Sequence, residues 1–177
     1  MEISDNLVFT YDADGVTMEY TGYDGRLIKQ TDVNMLAYPL GVITDREQTL
    51  RDINYYFDRI DPNGPAMSNA IIAVLHARLG DPETAFKVFK KSYSDKLRPP
   101  FGVLSENANN SRVSFATGLG GILQSVIFGF AGVEITPEGI IQLPTRLPSH
   151  WKSLTVTGVG VDRLTFKVEN PDYKATK

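Results

Sequence analysis

One carboxylate in a loop crowded with hydrogen-bonding amides marks where this sequence could act on water. The run Phe101-Gly-Val-Leu-Ser-Glu106-Asn107-Ala-Asn109-Asn110-Ser111 follows Pro99-Pro100 and precedes the glycine-rich stretch Phe115-Ala-Thr-Gly-Leu-Gly-Gly121. An ionised glutamate accepts a proton, and asparagine side chains offer both donors and acceptors, so they can orient a bound water or a hydroxyl-rich ligand. A glutamate in a turn is commonplace by itself. The surrounding amides, prolines and glycines single out Glu106 as a candidate general base.

The rest of the composition narrows the chemistry. The 177 residues contain no cysteine and two histidines, His76 and His150, far apart in sequence. That removes disulfides and thiolate chemistry and leaves little support for a zinc site or a Ser-His triad, so no metal is expected. His76 falls inside an apolar helical pattern and reads as a packing residue. The net charge is −3 and Lys and Arg are not clustered, which argues against a nucleic-acid partner. Leu119 to Val133 is the longest apolar stretch, but Gly120, Gly121, Gln124, Ser125, Gly129 and Gly132 interrupt it. It predicts a closely packed internal helix, not a membrane span. Met1-Glu-Ile-Ser-Asp5 lacks the basic start and apolar core of a secretory leader, so the chain as written is expected to be soluble.

The elements that must position Glu106 are readable in outline. Tyr11-Asp-Ala-Asp-Gly15 and Tyr23-Asp-Gly25 are turn signals among short alternating segments. Thr44-Asp-Arg-Glu47 matches a capping box, and Leu50, Ile53, Phe57 and Ile60 follow at helical spacing until Asp61-Pro-Asn-Gly64. A second helix is predicted from about Ala66 to Leu79, with Gly80 as its left-handed terminus. In the third, Asp81 caps, Pro82 opens the first turn and Leu97-Arg-Pro-Pro100 ends it. A fourth spans about Ser114 to Phe128. Its Gly118, Gly120 and Gly121 each cost about 1 kcal/mol relative to alanine, which predicts a close approach to this backbone. From Val133 the pattern alternates. Val133–Thr136, Ile140–Leu143, Ser153–Thr157 and Leu164–Val168 predict strands, and the tail from Asn170 is polar. The fold class is thus mainly α with a C-terminal β region, divided as 1–132 and 133–177.

Several ordered motifs together carry a family resemblance. Lys29-Gln30-Thr-Asp-Val33, Leu36-Ala-Tyr-Pro-Leu40, Met67-Ser-Asn-Ala70, the Glu106 run, Phe115 to Phe130 and Leu147-Pro-Ser-His-Trp-Lys-Ser-Leu154 resemble the C-terminal part of glycoside hydrolase family 65. That family comprises α-glucoside phosphorylases and hydrolases acting on kojibiose, trehalose and related linkages. The resemblance implies the last helices of an (α/α)6 toroid followed by a small antiparallel β-sheet. A full twelve-helix ring needs on the order of 300 to 400 residues, whereas about four helices are readable here, so the chain resembles a fragment.

The resemblance also implies roles. Family members invert the anomeric centre with two carboxyl groups about 6.5 to 9.5 Å apart. The hydrolase branch's base falls on Glu106, and the family's Lys-Gln pair, which contacts the glucosyl unit at the cleavage point, falls on Lys29 and Gln30. Asn107 and Asn110 are substrate-binding candidates as well as supports of the loop. Asp32 and Trp151 read as structural. No Asp or Glu here matches the family's general acid, which the resemblance assigns upstream. No cofactor is implied.

The expected partners are an α-glucoside such as kojibiose or trehalose, together with upstream helices or another subunit. One alternative is a fragment of a disaccharide phosphorylase, although Glu106 would repel a phosphate dianion. The other is a noncatalytic carbohydrate-binding or assembly module, which would expose an apolar patch around Leu50, Ile71 and Phe86.

Overall fold

The structure, a computed structural model, describes residues 6–109 and 113–173. Two compact units divide it, Met1–Pro62 and Asn63–Lys177.

In the first unit, Asp12 makes the predicted turn: its Oδ1 accepts the N–H groups of Asp14 (2.9 Å) and Val16 (2.8 Å), and Gly15 takes φ +77°. A short helix α1 (Asp32–Met35) precedes the longer α2 (Arg46–Phe57). The cap of α2 is Asp45, one residue beyond the expected Thr44. Its carboxylate accepts Gln48 N–H at 2.7 Å, the same four-residue spacing shifted by one.

The expected apolar stripe on α2 is also modified. Ile53 is buried, but its buried companions are Thr49, Asp52 and Tyr56. The cause is a polar network: Thr17 donates to Asp52 from both N–H and Oγ1 (2.9 Å each), Gln48 Nε2 donates to Asp52 Oδ1 (2.9 Å), and Tyr56 donates its hydroxyl to Thr17 O (2.8 Å). Around it pack Val16, Ile28, Val33 and Tyr56.

In the second unit, α3 (Met67–Arg78) is the central helix, with Ala70, Ile71, Ile72, Ala73, Val74, Leu75 and Ala77 all buried. Gly80 takes φ +80° after it. Asp81 then caps α4 (Pro82–Lys91) by accepting Thr84 N–H at 3.1 Å, as predicted. The chain next forms a hairpin, β1 (Leu97–Arg98) paired with β2 (Val103–Leu104), where a helix terminus was expected. Helix α5 (Ala116–Gln124) continues into a π-helical turn, Ser125–Phe130, and both pack on α3.

Two antiparallel hairpins follow, β3 (Val133–Thr136) with β4 (Gly139–Gln142), and β5 (Ser153–Val159) with β6 (Leu164–Glu169). The helical-to-β change thus lies within the second unit. Trp151 packs as expected, its ring centroid 5.0 Å from Phe130 and 5.6 Å from Phe86, and His150 lies 4.4 Å from Phe86. Phe86 and Leu50 are half-buried and Ile71 is buried, so none of the three is among the exposed large apolar side chains. His76 is mostly buried, and desolvation holds its imidazole below the usual histidine range despite nearby Asp81.

The glycines of α5 separate by position. A Cβ at Gly121 would lie 2.9 Å from Ala70 Cβ, and one at Gly118 would meet Phe115, Leu104 and Ala66, whereas a Cβ at Gly120 would meet nothing within 4 Å. The close approach predicted from sequence is therefore α3 against Gly121, with Leu104, Phe115 and the α3 cap residue Ala66 against Gly118. Gly121→Ala should destabilise the second unit by about 1–3 kcal/mol through overpacking. Gly120→Ala should stabilise it by up to about 1 kcal/mol, because helix propensity acts unopposed there. Denaturant unfolding of the two variants checks the pair; equal effects would contradict the packing.

Candidate functional site

Glu106 is held by its neighbours on both sides. Leu104 and Ser105 before it are buried, and Ser105 closes a bridge to Val113. Ser105 N–H donates to Lys96 O at 2.9 Å, and its Oγ lies 3.0 Å from Lys96 O and 2.6 Å from Asn107 O. The carbonyl of Glu106 accepts Ala66 N–H at 3.1 Å, tying the loop to the start of α3, where the first N–H groups have no intrahelical partner.

After Glu106 the chain is clamped by a cation. Arg98 Nη2 donates to Asn107 O (2.9 Å) and Ala108 O (2.6 Å), while its Nη1 donates to Asp95 O (3.0 Å). Asn107 Oδ1 accepts Asn109 N–H at 3.1 Å, and the Asn109 amide donates to Asn63. These asparagines shape the loop. Glu106 itself is half-buried, so its carboxylate sits on a braced backbone.

Lys29 and Gln30 are exposed on the turn before α1 and border a cavity of about 270 Å³ with Glu19, Tyr23, Arg26 and Asp32. The turn is anchored by the parallel bridge of Ile28 to Ile60, with Ile28 N–H donating to Arg59 O at 2.8 Å and Asp61 N–H to Ile28 O at 2.9 Å. A lysine beside a glutamine supplies donors and an acceptor for sugar hydroxyls. Asp32 opens α1 and lines the same cavity.

The sequence-derived residues thus fall into two groups. Lys29 and Gln30 share one cavity in the first unit, and Glu106 and Asn107 share one loop in the second. Asn110 lies outside the described residues. Among the described residues no group of three or more His, Asp or Glu could hold a metal ion, and no helix is long and apolar enough to cross a membrane.

Sequence reasoning missed Arg98 and Glu19. Arg98 was absorbed into a helix terminator, although Pro99, Pro100 and Gly102 (φ +66°) between Leu97-Arg98 and Val103-Leu104 are a usable hairpin signal. Glu19 carried no signal, because its partners lie on α1.

No family model matches this chain. It is 46% identical over 168 residues to a kojibiose hydrolase of Mucilaginibacter mallensis, covering 94% of this chain and 25% of that protein. It is 36% identical over 150 residues to a protein-glucosylgalactosylhydroxylysine glucosidase of Dictyostelium discoideum, covering 85% and 21%. The chain therefore spans about a quarter of the length of these relatives. A solved structure of a protein assigned as a kojibiose phosphorylase from the human microbiome superimposes with a TM-score of 0.67 at 18% identity, covering 94% of this chain and 26% of that one. That likeness shows the fold alone.

Proposed function

Because the chain belongs to the glycoside hydrolase family 65 type and matches its C-terminal region, we propose that it carries the general base of an inverting α-glucoside hydrolase, Glu106. The proposal extends to the architecture: the helices from α1 to the π-turn are the last members of an (α/α)6 toroid, 1–132, and 133–177 is its C-terminal β region.

The carrying observation is a single carboxylate on a loop braced by Arg98, Ser105 and the α3 N-terminus, in a chain 46% identical to a kojibiose hydrolase. In this reading Glu106 takes a proton from water as the water oxygen attacks the anomeric carbon of an α-glucoside of the kojibiose or trehalose kind. The bond to the leaving sugar breaks as a second carboxyl group protonates the departing oxygen, leaving β-glucose. Lys29 and Gln30 are the proposed contacts to hydroxyls of the glucosyl unit, and Asn107 and Asn110 are further proposed substrate-binding residues.

The second carboxyl group belongs, in this reading, to the part of the relatives' length that this sequence does not span. General acid assistance is worth about 10²- to 10⁴-fold, so the 177-residue chain alone should show no measurable turnover of kojibiose or trehalose. A longer protein containing it, or its assembly with a chain supplying the remaining helices, should hydrolyse such a substrate with release of β-glucose, read by polarimetry or NMR. Robust hydrolysis by the isolated chain would overturn the division of labour. Phosphate-dependent release of β-glucose 1-phosphate by the complete protein would replace hydrolysis with phosphorolysis.

A further inference from the structure

The carboxyl of Glu19 is enclosed beside the Lys29–Gln30 turn and is only half used. One oxygen accepts the backbone N–H of Val33, in the first turn of α1. The other, Oε2, is sealed from solvent and has no hydrogen-bond partner among the described residues. An enclosed carboxylate oxygen without a donor is costly, because the lost hydration is not replaced.

Glu19 is delivered to this spot by a rigid support. It follows Thr17, which Asp52 and Tyr56 grip from α2. It also borders two cavities, one of about 270 Å³ on the Lys29–Gln30 side and one of about 300 Å³ bordered by Phe9, Met18 and Leu36. Asp32 borders both and is the like charge closest in effect. The other titratable and charged groups around the carboxyl are Tyr56 of α2 and Tyr20, Tyr23, Arg26 and Lys29 about the cavity.

We propose that Glu19 is a positioning residue for the Lys29–Gln30 turn, holding α1 against the 16–19 segment in one protonation state and loosening it in the other. Its importance for catalysis rests on the reading of Lys29 and Gln30 as sugar contacts, but the coupling itself does not. Burial first, and Asp32 second, raise the carboxyl above the usual glutamate range, outweighing the Val33 N–H that lowers it.

The sign follows from that direction. With the folded value above the unfolded one, the folded turn favours the protonated group. Its stabilisation is complete below the ordinary glutamate value and is lost as pH rises through the raised one. Above it, an ionised Glu19 carries an enclosed oxygen without a donor and feels the like charge of Asp32, and the turn should relax outward, carrying Lys29 and Gln30.

The test is an NMR titration of the full 177-residue chain, following the Glu19 side-chain carboxyl and the backbone amides of residues 29–33. The expected result is one shared midpoint above the ordinary glutamate value. In Glu19→Gln, a neutral isostere of the protonated group, that midpoint should disappear from these amides, which stay near their low-pH positions. Should that variant fail to fold, Asp32→Asn decides, since Asp32 is exposed: the shared midpoint should fall toward the ordinary value. Amides that do not titrate with Glu19, a midpoint at or below the ordinary value, or one unmoved in Asp32→Asn would each overturn the proposal. None of these readouts involves sugar or turnover, so a failure here is separable from a failure of the hydrolase reading.

Discussion

Glu106→Gln, in a protein that supplies the general acid, should lower kcat for an α-glucoside by about 10²- to 10⁴-fold, the usual worth of a positioned base. The carboxamide keeps the shape of the side chain and leaves the Ala66 N–H to Glu106 O bond, a backbone contact, untouched. KM should therefore change little, since the lost interaction belongs to the transition state and not to substrate binding. A small anionic nucleophile that needs no deprotonation, such as azide, should restore part of the rate and yield a β-glucosyl product by single displacement. Unchanged kcat in the variant, or rescue giving an α-product, would remove Glu106 from the reaction.

Local chemistry made much of the helical frame legible. Asp81-Pro82-Glu83 and Gly80 each specify a backbone state whatever the tertiary context, and the structure has them as the start of α4 and the end of α3. Glycines along α5 implied a close neighbour, but the sequence alone could not separate Gly118 and Gly121, which are closely packed, from Gly120, which faces open space. What local patterns hid was long-range polar pairing. Asp52 lies outside the apolar spacing of Leu50, Ile53, Phe57 and Ile60, yet it is buried, paired with Thr17 thirty-five positions away, and so shifts the packed face of α2.

The site was legible in the same uneven way. Glu106 stood out because its own neighbours are polar and constrained, and Lys29-Gln30 because several motifs in order carried a family resemblance. Their supports did not stand out. Arg98 acts on carbonyls nine and ten residues away, and backbone carbonyls have no side-chain identity to read. Glu19 meets a backbone N–H of α1, a partner equally invisible in sequence.

Arg98 carries the second large effect. Its guanidinium spans the base of the hairpin and the loop beyond Glu106, donating to Asp95 O and Leu97 O on one side and to Asn107 O and Ala108 O on the other. Hydrogen bonds from a charged donor are each worth about 1.5–3 kcal/mol, and half-exposed Arg98 belongs at the lower end. Arg98→Ala should thus free residues 106–109 while α3 to α5, which do not depend on the clamp, stay folded. A base displaced by about 1 Å can cost on the order of 10²-fold, so kcat should fall by roughly that factor, with KM nearly constant because the proposed sugar contacts, Lys29 and Gln30, belong to the other unit. Hydrogen exchange at Asn107–Asn109 should rise in the variant with little change in the α3 amides. Arg98→Lys offers one ammonium in place of a planar fork and cannot reach both sets of carbonyls, so it should recover only part of kcat. Wild-type kcat in Arg98→Ala, with exchange in the loop raised, would mean that the loop's order is not what aims the carboxylate.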